Sequence, residues 1–284
     1  MQTTNTLVDL RKAVAKLRGG GETVGLVPTM GALHDGHLTL VRRAREECDH
    51  VVASIFVNPT QFGPNEDLDA YPRQLETDSA LLMSEGCVLL WAPDVAAMYP
   101  AGFSSSISVR GVSDGLCGAD RPGHFDGVAT VVCKLFNQVR PDMAFFGEKD
   151  FQQLAVIRTM ARDLDLTQPH AHQIIGVPTV REPDGLAMSS RNRYLSAENR
   201  TAAATLPTAM AEAKAAIEAG GDTSQALTKL KSALTDTGFE SVDYAVLADA
   251  KSLTPIDELS GSSARLLFAA RIVGTRLIDN IPVG

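Results

Sequence analysis

Through roughly the first 180 residues, short apolar runs alternate with stretches whose apolar positions recur every three or four residues. The runs at 24–27, 51–57, 88–91, 143–146 and 172–177 carry β-branched or aromatic side chains and stop at Pro, Gly or Asn, so they predict strands. The stretches at 38–47, 73–85, 129–139 and 151–164 have one buried face each and predict helices. Residues 1–20 mix Asn, Asp, Arg and Lys with single apolar residues at helical spacing and predict an amphipathic first helix. Alternation of this kind implies an α/β fold with a Rossmann-like, doubly wound parallel sheet covered by helices.

Beyond about residue 180 the texture changes. An Ala-rich region spans 196–219, a second helical pattern spans 223–237, and strand-like runs follow at 242–247 and 266–272, with 276–279 a possible third. A smaller α+β C-terminal domain is the expectation, with the linker near 177–184 where Pro178 and Pro183 punctuate the chain. The domain boundaries expected are therefore 1–178 and 179–284.

Composition narrows the possibilities rather than choosing among them. The chain has 284 residues, 44% hydrophobic and 21% charged, which excludes collagen-like, disordered and disulfide-scaffold classes. A formal charge of −8 argues against a nucleic-acid partner, because phosphate-backbone binding needs a basic patch. The four cysteines, Cys48, Cys87, Cys117 and Cys133, form no CxxC pair, so reduced thiols and a cytoplasmic setting are expected. No window is apolar enough to cross a membrane.

The most informative stretch is Val27-Pro28-Thr29-Met30-Gly31-Ala32-Leu33-His34-Asp35-Gly36-His37-Leu38. A strand ends at Pro28, passes through a glycine-bearing loop and enters a helix near Gly36, which is how α/β folds present helix N-terminal amides to an anion. His34 and His37, three apart, point the same way if both occupy the first turn, so both reach one phosphate group. Two hydrogen-bonded structural histidines, or a metal site short of a third ligand, are the competing readings of the pair. GxxxxGK[ST] and GxGxxG are both missing.

Gly147-Glu148-Lys149-Asp150 follows a second strand in the same way, with Lys149 a point charge for phosphate and Asp150 a ribose acceptor or helix cap. Read alone, it is also an ordinary solvated turn. Met188-Ser189-Ser190-Arg191, at the domain boundary, groups hydroxyls beside a guanidinium fork and suits a triphosphate. A loop there closes over a nucleotide and excludes water. Asn58-Pro59-Thr60-Gln61-Phe62 ends a further strand; Gln61 both donates and accepts, which fits a substrate with hydroxyl and carboxylate groups, or the segment is a simple turn. Arg121 and His124 form a lesser loop candidate, Arg121 alternatively serving a subunit contact.

Taken together, residues 28–37, 54–62, 121–125, 146–154 and 185–192 resemble, in order and spacing, the pantoate–β-alanine ligases of the nucleotidyltransferase superfamily, and the likeness covers essentially the whole chain. His34-Asp35-Gly36-His37 is similar to the superfamily's His-x-Gly-His signature. Met188-Ser189-Ser190-Arg191 is similar to its Lys-Met-Ser-Lys-Ser loop, but both lysines are replaced, the second by Arg191. The resemblance implies a ligase using ATP and Mg²⁺, acting through a pantoyl adenylate. It implies catalytic roles for His37, His34 and Lys149, and an ATP site drawn from residues 30–37, 147–150, Val180 and 188–191. It further implies that Gln61 and Gln153 hold pantoate, that Asn58 and Gln61 meet β-alanine, and that the chain forms a homodimer whose C-terminal domain acts as a lid.

Overall fold

The computed structural model describes residues 1–284 apart from Asn65, Ser260 and Ser262. Its elements run β1 (Gln2–Thr4), α1 (Leu7–Leu17), β2 (Val24–Thr29), α2 (Asp35–Glu47), β3 (His50–Ile55), α3 (Leu75–Ser84), β4 (Leu89–Trp91), α4 (Val95–Met98), α5 (Cys117–Asp120) and α6 (His124–Val139). They continue with β5 (Met143–Gly147), α7 (Phe151–Asp163), β6 (Ile174–Val177), α8 (Ala197–Ala203), α9 (Thr205–Glu218), α10 (Thr223–Thr235), β7 (Ser241–Asp249), β8 (Ala264–Ile272) and β9 (Thr275–Val283).

The chain divides into two compact units. The first comprises Met1–Ser113, Arg121–Glu148 and Gln153–Pro178; the second comprises Asp114–Asp120, Lys149–Gln152 and Thr179–Gly284. Within the first, six strands form one parallel sheet in the order β1-β4-β3-β2-β5-β6. From β2 the chain winds one way through β3 and β4, then returns to the other side of β2 with β5. In a sheet wound both ways, ligands bind where the order reverses, at the carboxyl ends of the strands flanking that point. Here those ends are Thr29 and Gly147. Val27, Leu38, Val41, Val51, Ala53, Leu90 and Phe145 share one buried core, because strands covered on both faces keep apolar side chains on both.

The second unit builds a three-stranded antiparallel sheet, β7-β8-β9, over which α9 and α10 pack. Leu206, Met210, Ile217, Leu230, Leu234, Phe268 and Ile272 close its core. The sheet and the α+β texture match the expected fold class.

Four elements depart from expectation for identifiable reasons. Residues 2–4 form an edge strand paired with β4 ahead of the first helix; Gln-Thr-Thr carries no apolar run to announce it. Helix α6 starts at His124, five residues before its apolar pattern becomes evident, because its first turn holds His, Asp and Gly. The Ala-rich region is two helices, not one: Pro207 has no N–H to give Ala203, so the ladder breaks and α9 restarts at Thr205. The last strand runs to Val283 rather than stopping at 279, its polar Asp279 and Asn280 being buried at 3% and 4% exposure.

Candidate functional site

At the end of β2, Gly31 and Ala32 both adopt positive φ, +84° and +54°. For a residue with a Cβ this costs of order 1–3 kcal/mol and persists only where the surroundings hold it. Asp78, fully buried in α3, supplies the hold. Its Oδ2 accepts the Ala32 N–H at 2.8 Å, its Oδ1 accepts the Leu33 N–H at 2.9 Å, and Gln74 Nε2 donates to Oδ1 at 3.1 Å. A Cβ on Gly31 would lie 3.0 Å from that same carboxylate, so the sharp turn and the carboxylate select glycine together.

The turn delivers His34 as the N-cap of α2 and His37 into its first turn. Their rings lie 4.1 Å apart, tilted by 42°. The His34 N–H donates to His37 Nδ1 at 3.4 Å, so a neutral His37 carries its proton on Nε2. Both histidines thus sit at the positive end of a helix dipole. Asp35, expected among the nucleotide contacts, is tied to Arg42 at 2.8 Å.

At the end of β3, Asn58 is 1% exposed and fully engaged. Its Nδ2 donates to Gln61 Oε1 at 3.1 Å and to the Gly127 carbonyl at 3.2 Å; its Oδ1 accepts from Tyr99 Oη at 2.8 Å and from Thr60 Oγ1 at 2.9 Å. Asn58 therefore orients Gln61, whose Nε2 in turn reaches Met30 Sδ at 3.2 Å. Beneath the same turn, His124 Nδ1 lies 2.8 Å from the Gln61 carbonyl, and Arg121 Nη1 lies 3.0 Å from His124 Nε2. Arg121 is otherwise closed in a two-toothed pair with Glu66 at 2.6 and 2.5 Å. Burial alone would raise the Glu66 carboxyl; the guanidinium overrides this and holds it below its ordinary range. Helix α6 meets this turn so closely that a Cβ on Gly127 would fall 2.4 Å from the Thr60 carbonyl oxygen.

In the second unit, Lys149 and Asp150 lie in a one-turn 3-10 segment, their charged groups 3.9 Å apart. The two glutamines that follow part company. Gln152 is buried, accepting the Cys117 N–H at 3.0 Å and donating to the Gly115 carbonyl at 2.8 Å, while Gln153 belongs to the first unit and is half-buried.

Residues 180–188 form a hairpin: the Met188 N–H donates to the Val180 carbonyl at 3.0 Å and the Glu182 N–H to the Leu186 carbonyl at 2.8 Å. Ser189 caps the following 3-10 segment by accepting the Arg191 N–H at 3.3 Å. Arg200 bridges Glu182 and Asp184, each at 2.7 Å, and Asn192 donates to Glu182 at 2.7 Å. The Arg200 hydrogen bond holds the Asp184 carboxyl below its ordinary value. Three charged side chains and an amide thus brace the hairpin.

Among the described residues, no three His, Cys, Asp or Glu side chains gather as a metal cage. Mg²⁺ prefers phosphate oxygens and its own waters, with one or two carboxylates, so a cage is not what a nucleotide-borne ion requires. All four cysteines are free and buried, and burial pushes the Cys87 thiol up to about 11. Among the described residues no helix is long and apolar enough to cross a membrane.

Residues 2–282 match the family model described as Pantoate-beta-alanine ligase. The chain belongs to this family. The pantothenate synthetase of Novosphingobium aromaticivorans is 66% identical over all of this chain and 99% of that protein, and that of Sphingopyxis alaskensis is 59% identical over the full length of both. The crystal structure of pantothenate synthetase from Thermus thermophilus shares 48% identity and superposes with a TM-score of 0.92, covering 99% of each chain. A pantoate-beta-alanine ligase structure from Francisella tularensis, complexed with beta-gamma ATP and beta-alanine, shares 33% identity at a TM-score of 0.80 and covers 99% of this chain and 97% of that one.

Against this family background, the first unit brings His34, His37, Gln61 and Met30 together with their supports. The second unit gathers Lys149, Asp150, Val180 and 188–191. Sequence reading missed Asp78, Tyr99, Gly127, Asp279 and Asn280. An isolated Asp on a helical pattern reads as a solvent-facing residue, and only the positive φ of the loop it holds distinguishes it.

Proposed function

We propose that the chain condenses pantoate with β-alanine at the expense of ATP, giving pantothenate, AMP and pyrophosphate. Pantoate's carboxylate attacks the α-phosphorus, a phosphorus–oxygen bond forms, and pyrophosphate leaves. The amine of β-alanine then attacks the resulting acyl adenylate, the amide forms and AMP departs.

The observation that supports this reading best is the paired His34 and His37 on the first turn of α2, beyond the carboxyl end of β2, in a chain that matches the ligase family from residue 2 to 282. His37, its Nδ1 engaged by the His34 amide, donates through Nε2–H to phosphate oxygen as charge builds there. A preorganised donor of this kind is worth about 2.7–4 kcal/mol in the transition state. Met30–Leu33 and the α2 N-terminus, with Asp35 and Gly36, line the nucleotide's path; Gly147, Glu148, Lys149 and Asp150, the Val180 backbone and Met188–Arg191 complete its contacts. Gln61 and Gln153 bind pantoate. Gln61 also meets β-alanine, and Asn58 acts through it, since the Asn58 amide protons are already committed. Mg²⁺ arrives with ATP and neutralises phosphate charge. The enzyme works in the cytoplasm as a homodimer, a state light scattering measures directly.

Incubation with ATP, pantoate and Mg²⁺, with and without β-alanine, tests the reaction. AMP release should depend on β-alanine while pyrophosphate release does not require it in a single turnover. AMP formation independent of β-alanine overturns the ligase reading in favour of plain nucleotide transfer.

A further inference from the structure

Lys149 and the 180–188 hairpin are separated by some thirty residues of chain, yet both are tied to two neighbouring residues of β9. Asn280 Nδ2 donates to the Lys149 carbonyl at 2.8 Å. Asp279 receives both arms of Arg181, at 2.7 and 2.9 Å, and Arg181 also donates to the Gly185 carbonyl at 2.9 Å, inside the hairpin turn. The Asn280 N–H donates to Asp279 Oδ1 at 2.7 Å and links the two anchors.

Neither polar residue is there for solubility. The Asp279 side chain is 1% exposed, and a carboxylate that deep persists only when its oxygens are satisfied by a geometry as demanding as a guanidinium fork. Asn280 grips main chain rather than side chain, so what it sets is the origin of the Lys149 stem. A lysine has four flexible methylenes, and fixing where the stem begins narrows where the ammonium arrives. The hairpin is held by the same strand one residue earlier, and it leads directly into Ser189, Ser190 and Arg191.

We infer that Asp279 and Asn280 are positioning residues that hold Lys149 and the hairpin leading to Ser189–Arg191 in one frame, so that both address the same triphosphate. This rests on the nucleotide roles proposed above. It gives the C-terminal strand a part in ATP binding although neither residue need touch ATP.

A double-mutant cycle on the full chain tests it. ATP affinity, measured calorimetrically with Mg²⁺ and without turnover, should weaken about tenfold in Asn280→Ala, whereas KM for β-alanine stays within about twofold of wild type. In a Lys149→Ala background the same Asn280→Ala change should alter ATP affinity by less than about twofold, because the residue acts through a side chain no longer present. Undiminished ATP affinity in Asn280→Ala, or a loss of equal size in both backgrounds, overturns the assignment. Arg181→Gln, at a part-exposed position, reads the Asp279 link if Asn280→Ala does not fold: ATP affinity should fall with β-alanine KM unchanged, and an unchanged affinity overturns the link. The ligase reading fails separately, through the β-alanine dependence of AMP release.

Discussion

Two loops proposed above as nucleotide contacts are held in different ways. The turn at residues 30–33 is locked by a single fully buried carboxylate, Asp78, that accepts backbone N–H groups and imposes positive φ on Gly31 and Ala32. The hairpin at residues 180–188, with its own positive φ at Gly185, is anchored through Arg181 to the buried Asp279 and further braced by Arg200 with Glu182 and Asp184, at side-chain exposures of 25%, 28% and 40%. The first arrangement is indifferent to salt and cannot be loosened gradually. The outer brace of the second is screened, titratable and individually weak. The turn that carries the histidines is thus rigidly seated, whereas the hairpin adds an adjustable outer brace to its buried anchor.

The largest expected effect comes from removing what the rigid loop presents. His37→Ala should lower single-turnover pyrophosphate release about 10²–10³-fold, in line with the loss of one preorganised oxyanion donor, while the melting temperature falls only slightly for the lost His34 N–H acceptor. Next is the seat itself. Asp78→Asn turns a donor toward groups that are themselves donors, and each buried N–H left unsatisfied costs about 1–3 kcal/mol. Its melting temperature should fall by several degrees, by about the same amount at low and high salt. A salt-dependent loss there would erase the contrast between the loops.

The smallest effect belongs to the adjustable loop. Arg200→Gln should cost about 0.2–1 kcal/mol at low ionic strength and almost nothing in molar salt. Its pH dependence follows from the Asp184 carboxyl, which Arg200 holds low in the folded chain. Such a group stabilises above the ordinary carboxylate range, and the contribution vanishes as pH falls through the depressed native value. Wild type and Arg200→Gln should therefore differ at neutral pH and converge in acid when unfolding is followed by circular dichroism.

What sequence made legible divides along similar lines. The strands at 24–27, 51–57 and 143–146 were evident because a strand covered on both faces must be apolar throughout, and the His34–His37 pair because its spacing falls within one helical turn. The supports were not. Asp78 lies 46 residues from the Ala32 amide it holds, and Asp279 lies 98 residues from Arg181, distances over which a local pattern carries no signal. Asn58 was legible as a polar residue at a strand end but not as one whose every group is spoken for, since that depends on Tyr99 and on a helix that begins near residue 124. The possible strand at 276–279 was expected to stop at Asp279; buried partners let it continue through Asp279 and Asn280 to Val283.

The close approach of α6 to the Thr60 carbonyl bears on any redesign of the turn that carries Gln61, proposed above to hold pantoate and β-alanine. With 2.4 Å between that oxygen and the place a Cβ at Gly127 would take, the turn carrying Gln61 rests on bare helix backbone. Libraries randomised at residues 58–61 would therefore be filtered first by the profile of α6. New acids would be better sought by varying side chains that face the bound molecule, leaving Gly127 as the foundation on which any altered specificity is erected.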